Sequence, residues 1–227
     1  MSTQPLPSGR PPQRTGAAKR ILPPKPVAAG IVALSFTVLL YLVELVDALL
    51  PAELDHGGIV ARSLAGLDGI AWAPVLHGSW SHVFANTVPV LVFAFLAMAG
   101  GIGQWIAVTV TIWLVGGVGV WLTAPPDTVT VGASGLAFGW LAFLLVRGLF
   151  NRSVSQLLVA VVLLFVWGGM LWGVLPGNPG VSWQGHLFGA LGGVLAAWVV
   201  ARADRRRAGG PGTSTRLPPP PGQPGPT

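Results

Sequence analysis

The chain has no cysteine. Disulfides and thiolate metal sites are therefore excluded, and the redox compartment leaves no trace in the sequence. Charge is scarce too: Asp, Glu, Lys and Arg make up 9% of the 227 residues, against 52% for apolar types. An average soluble domain carries roughly 25% charged residues. So little charge, combined with long apolar runs, places the chain in the membrane class. The net charge of +6 is not spread along the core as a basic stripe, which excludes a nucleic-acid-binding surface. No alternating apolar pattern supports a barrel, and no internal repeat supports an inverted-repeat transporter. A cleaved signal peptide is not expected, because a Pro/Arg-rich stretch precedes an apolar run too long for a signal core.

What the chain does have is six apolar segments: 27–50, 82–99, 103–123, 131–150, 154–174 and 182–201. A hydrocarbon core about 30 Å thick takes roughly 20 helical residues to cross, and helices satisfy their own backbone groups in lipid. The second and sixth segments are interrupted by His, Asn, Gln and Gly. They are retained because polar residues inside spans usually face a protein interior and mark function. Six spans put both tails on one side. That side also receives Arg147 and Arg152 from the link between the fourth and fifth spans, and of the basic residues only Arg62 falls opposite. Basic residues mark the cytoplasmic face.

The expected organisation is therefore an all-α, six-span bundle over 27–201 with two flanking tails. Residues 1–26 are basic and Pro-rich, and 202–227 are basic and then Pro/Gly-rich. Both tails are expected to be disordered and cytoplasmic, having too little apolar surface to offset their ordering entropy. The first connection, 51–81, holds Ile59, Val60, Leu64, Leu67, Ile70, Trp72, Val75 and Leu76. It is expected to lie in the membrane interface, with Trp72 at headgroup level. Glu44 and Asp47, near the outer end of the first span, read as solvated interfacial carboxylates.

Three polar clusters interrupt the spans. His77, His82 and Asn86 form the first, and the spacing of the last two puts them on one helix face, able to donate hydrogen bonds to one point. On spacing alone, a polar contact between helices explains them as well. The second is Gly132, Ser134, Gly135, Phe138 and Gly139. By itself it can be a tight packing site, and no strand is expected before the serine to form a nucleophile elbow. The third is Gly185, His186, Gly189 and Gly193. If the two glycine ridges pack together, the Ser134 hydroxyl and the His186 imidazole come within reach, and an imidazole can take a serine proton. No Asp or Glu lies near either residue in a span, so a two-residue dyad is expected.

Together the clusters resemble the rhomboid family of intramembrane serine proteases. The family pattern is His-x4-His-x3-Asn, then Gly-x-Ser-Gly, then His followed by small residues, in the second, fourth and sixth spans. Here these are His77, His82 and Asn86; Gly132, Ser134 and Gly135; and His186, Gly189 and Gly193. The resemblance covers roughly 27–201. It implies Ser134 as nucleophile and His186 as general base and then acid. It implies His82 and Asn86 as oxyanion donors, together with a backbone N–H near Ser134. It further implies that Phe138 stacks on the catalytic imidazole and that His77 is structural. One departure is plain. The family's first loop often carries a Trp-Arg pair about nine residues before the first histidine, where this chain reads Leu67, Asp68, Gly69, Ile70.

The expected function is cleavage of transmembrane-segment substrates near the outer membrane face, with the lipid bilayer as the other partner and no cofactor, metal or nucleic acid. The Ala/Gly/Pro/Val/Arg bias fits a GC-rich bacterial genome, so the expected location is a bacterial inner membrane. A catalytically inactive relative that binds transmembrane helices is the alternative, and the intact Ser134, His186, His82 and Asn86 argue against it. A transporter would need charged residues at the midplane. A metal hydrolase would need a carboxylate beside His82 and His186, with His56 remaining in a loop.

Overall fold

The computed structural model describes residues 19–50 and 53–209. Most of the two expected tails, 1–18 and 210–227, lies outside the described residues. Among the described residues, six helices are long and apolar enough to cross a bilayer. They are α1 (Pro26–Leu49), α3 (Trp80–Ala97), α4 (Ile102–Thr123), α5 (Ser134–Asn151), α6 (Val154–Trp167) and α7 (Trp183–Gly209), while α2 (Gly69–Trp72) is a single turn in the first connection. Tighter 3₁₀ turns, Met98–Gly100 and Gly168–Val174, extend α3 and α6 to full span length.

Local chemistry sets the helix starts. Pro26 opens α1, where its missing N–H costs nothing. The Ser79 hydroxyl accepts the His82 N–H and caps α3. One face of α1, carrying Ala29, Ala33, Thr37 and Leu40, is buried and packs on α3. The Tyr41 hydroxyl meets that of Thr87 at 2.8 Å.

α5 is the centre of the bundle, in contact with α3, α4, α6 and α7, and its most extensive partner is α7. That seam is made of backbone. A Cβ on Gly189 would fall 2.2 Å from the Gly135 carbonyl oxygen, and one on Gly193 would fall 2.0 Å from that of Gly139. Only glycine permits this approach, which is how small-residue ridges hold membrane helices together. Below the seam the fully buried Trp140 donates its indole N–H to Thr109 Oγ1 at 3.0 Å and stacks on Trp105.

Several expectations are corrected. In the first connection three 3₁₀ turns and α2 surround β1 (Ile59–Val60), which pairs antiparallel with β2 (Val129–Thr130). A short strand therefore does precede Ser134. The apolar residues of this connection divide, with Ile59, Ala73 and Leu76 buried inward while Leu64 and Trp72 point outward. The last helix does not end at Ala201. It runs on to Gly209, so 202–209 is helix rather than a disordered tail. Arg205 anchors that extension by donating to the Phe150 carbonyl at 3.1 Å, and Arg206 and Arg207 in the last turn suit the negative end of the helix dipole.

Arg147 is not in a cytoplasmic link. It sits in α5, buried, over the Phe143 ring, and its guanidinium donates to the Arg20 carbonyl. Gln156 donates to the same carbonyl at 3.1 Å. The segment around Arg20, expected to be disordered, is thus tied across the ends of α5 and α6, because a buried cation requires acceptors. Glu44 is not a solvated carboxylate either. It is 5% exposed and belongs with the other buried residues of α1, whereas Asp47 accepts the Leu54 N–H.

Candidate active site

Ser134 is the first residue of α5, so its own N–H has no intrahelical acceptor. The chain reaches it through Gly132, whose φ of +119° lies in the region that favours glycine. A Cβ there would also lie 2.6 Å from the His82 ring. Gly132 therefore permits both the turn into α5 and the approach of His82 to it. The Gly132 N–H is fixed on the Ala73 carbonyl at 2.8 Å.

The α5–α7 seam carries His186 to Ser134. The hydroxyl oxygen lies 2.9 Å from His186 Nε2. The other ring nitrogen, Nδ1, lies 2.9 Å from the carbonyl oxygen of Gly173. A carbonyl only accepts, so Nδ1 carries the proton and donates, which leaves the Nε2 lone pair to accept the serine hydroxyl. Phe138, one turn below Ser134, stacks on the imidazole with ring centres 4.0 Å apart and planes 6° from parallel. Among the described residues no carboxylate bonds to His186. Its orientation comes from a peptide oxygen and an aromatic face.

Ser134 and His186 open into a cavity of about 870 Å³ that His82 and Asn86 also line. Asn86 donates one amide hydrogen to the His82 carbonyl, at 3.0 Å, and keeps a second. The His82 ring forms no hydrogen bond among the described residues. It stands edge-on to His77, with centres 4.9 Å apart. His77 does not line the cavity. It is 2% exposed, in the link before α3, and its Nε2 accepts the N–H of Ala133, the residue before the serine, at 3.4 Å. Burial, reinforced by the neighbouring His82, pushes His77 down to about 4. It is therefore neutral at pH 7, as that acceptor role requires.

The structure thus brings together Ser134, His186, His82 and Asn86, with Gly132, Gly135, Phe138 and Gly189 as the frame and His77 behind it. The sequence reading missed Gly173, whose carbonyl orients the imidazole. A main-chain oxygen carries no side-chain signal. The only hint was a glycine at the end of the fifth span, where a Cβ would lie 3.0 Å from His186 Nδ1. The stretch 67–70, where a Trp-Arg pair was lacking, is held by α4 instead. The Trp113 indole donates to the Ile70 carbonyl at 2.6 Å, and that of Trp121 to the Ser63 carbonyl at 2.8 Å.

Comparison with known proteins agrees with this architecture. The model of the rhomboid domain matches residues 65–203. An uncharacterized protein of Mycobacterium tuberculosis is 45% identical over 208 residues, 88% of this chain and 86% of the relative. One from Mycobacterium leprae is 46% identical over 188 residues, 79% and 74% of the two chains. A Bacillus subtilis protein named "Putative rhomboid protease YdcA" is 27% identical over 135 residues, 59% and 67% of the two. No solved structure matches the chain. With six spanning helices and a rhomboid domain over most of its length, this chain is a multi-pass membrane protein of the rhomboid family.

Proposed function

We propose that the protein is an intramembrane serine endopeptidase that cleaves transmembrane-segment substrates with a Ser134/His186 dyad. The observation that carries this reading is the 2.9 Å contact between Ser134 Oγ and an imidazole nitrogen whose opposite N–H is tied to Gly173. Family membership supports the reaction class, as does the name of the Bacillus subtilis relative.

Ser134 Oγ attacks the scissile carbonyl carbon while His186 Nε2 takes the hydroxyl proton. The carbonyl oxygen becomes an oxyanion, and His82, the second Asn86 hydrogen and the Ser134 N–H are the donors for it. When the intermediate collapses, the C–N bond breaks and imidazolium returns the proton to the leaving amine, which leaves an acyl ester on Ser134. Water entering through the cavity then gives its proton to His186 and attacks the ester. Collapse of the second intermediate frees the carboxyl product and reprotonates Ser134 Oγ.

A serine-directed fluorophosphonate probe tests the dyad. Labelling is expected at Ser134, absent in Ser134→Ala, and sharply reduced in His186→Ala. It survives removal of the carboxylates of Glu44, Asp47 or Asp127. No labelling, with no cleavage of any transmembrane reporter, would instead make the protein an inactive rhomboid relative. The proposed location is a bacterial inner membrane with both termini cytoplasmic. Among the described residues, every Lys and Arg except Arg62 falls at the end where α1 begins and α7 ends. Reporter fusions after Arg20 and Arg207 should both report the cytoplasm, and an exterior signal from either overturns the orientation.

A further inference from the structure

At the end of the bundle opposite the catalytic cavity, a second cavity of about 670 Å³ is lined by Lys19, Arg20, Ile21 and Leu22 from one segment and by residues 152–155 from another. We propose that this cavity binds the phosphate headgroup of an anionic phospholipid through Lys19, Arg20 and Arg152. The site stands apart from the dyad and does not depend on the proteolytic reading.

Three cations line this cavity and no carboxylate does. Of the seven Asp and Glu in the chain, only Asp204 belongs to this end, and it is not part of the lining. Among the described residues no Lys or Arg forms an ion pair. Like charges gathered without a counter-charge repel, and a bound anion relieves that repulsion. The cluster is held in place. The Arg20 carbonyl is clamped by Arg147 and by Gln156, so its segment cannot swing away. Behind it, Arg147 is 5% exposed, and its Nη1 is buried without a partner. That cation therefore reinforces the positive field from inside.

The rest of the lining is also that of an acceptor-seeking site. α6 begins here, and its N-cap Ser153 makes no side-chain capping bond. Its hydroxyl is instead engaged with that of Ser155 at 3.1 Å. The first N–H groups of α6 have no intrahelical acceptor, and helix N-termini of this kind favour phosphate. A lipid, rather than a free phosphate, is indicated by what adjoins the cations. Ile21, Leu22 and Val154 line the same cavity, and the exposed Leu158, Val161 and Phe165 continue an apolar track along α6. An acyl chain fits such a track, whereas inorganic phosphate has no use for one.

The test is native mass spectrometry of the full chain in detergent, incubated with equimolar phosphatidylglycerol and phosphatidylcholine. The parent should retain phosphatidylglycerol several-fold in preference. The triple variant Lys19→Gln, Arg20→Gln, Arg152→Asn should bring that ratio close to one, given the attraction of each basic residue for anionic lipid. Asn is chosen at 152 because Arg152 has φ of 49°, which Asn tolerates. Equal preference in parent and variant overturns the site. Displacement of the lipid by millimolar inorganic phosphate overturns the lipid assignment in favour of a soluble anion. Circular dichroism checks that the variant folds. If it does not, the single variant Lys19→Gln and the parent decide, and a parent with no preference for phosphatidylglycerol ends the proposal.

Discussion

α5 and α6 are separated only by Arg152 and Ser153, yet they occupy different solvents. α5 is the most buried of the six spans and the least apolar. α6 is the most apolar and the least buried, with Phe165 90% exposed. In water the ranking would be reversed. Lipid tails are as apolar as leucine, so burying a leucine in the bundle gains little. What decides burial is close backbone approach and the need of polar groups for partners. The strength of a hydrophobic signal therefore marks the outside of this molecule, and the glycine ridges of α5 and α7, with Trp140 beneath them, mark its inside.

Substitution at the α5–α7 seam should break that contrast most severely. Gly189→Val places a side chain against the Gly135 carbonyl, where backbone rather than a flexible group must yield. Overpacking of this kind costs about 3 kcal/mol or more. The variant should fail to give a folded, protease-resistant protein, and parent-like thermal stability would show that the seam is not closed in solution. Next come the polar groups around the cavity. His82→Ala or Asn86→Ala should each slow cleavage of a transmembrane reporter by about 10²–10³, or about 3–4 kcal/mol, with melting temperature kept. A double variant as active as the parent would reduce both residues to helix packing.

A smaller effect is expected at His77. Its folded pKa is depressed from 6.5 to about 4, so the unfolded chain binds an extra proton between those values. Its contribution is complete above about pH 6.5 and declines as pH falls toward 4, by up to about 3 kcal/mol. His77→Gln should show a shallower loss of thermal stability between pH 7 and pH 4.5 than the parent. Identical slopes would mean that His77 is not buried neutral. The least effect is expected on the lipid side. Val161→Leu on α6 should leave stability within about 0.5 kcal/mol and activity unchanged. A clear loss there would mean that this face of α6 packs on protein.

The same contrast explains what could be read in advance. Span boundaries, except the end of the sixth, came within a few residues because hydropathy reports lipid exposure directly. The meeting of Ser134 and His186 was legible because each adjoins a glycine ridge and two such ridges have few ways to pack. Arg147 and Glu44 were misread because charge suggests solvent, whereas both are buried by packing between distant segments, with the Arg20 carbonyl as the acceptor for Arg147. The β1–β2 ladder escaped notice because two paired residues on each side leave no alternation to detect. Gly173 escaped because its contribution is a peptide oxygen.

That oxygen has a consequence of its own. A carboxylate that steers an imidazole can be lost by one substitution and titrates in acid. The Gly173 carbonyl can do neither. Its contribution is set by position alone, and that position belongs to Gly168–Val174, a 3₁₀ run of seven residues, longer than such helices usually persist. Under the proposed mechanism, the reactivity of Ser134 is then a matter of the pitch of one stretch of main chain. An ångström of winding or unwinding there would arm or disarm the serine without any side chain changing.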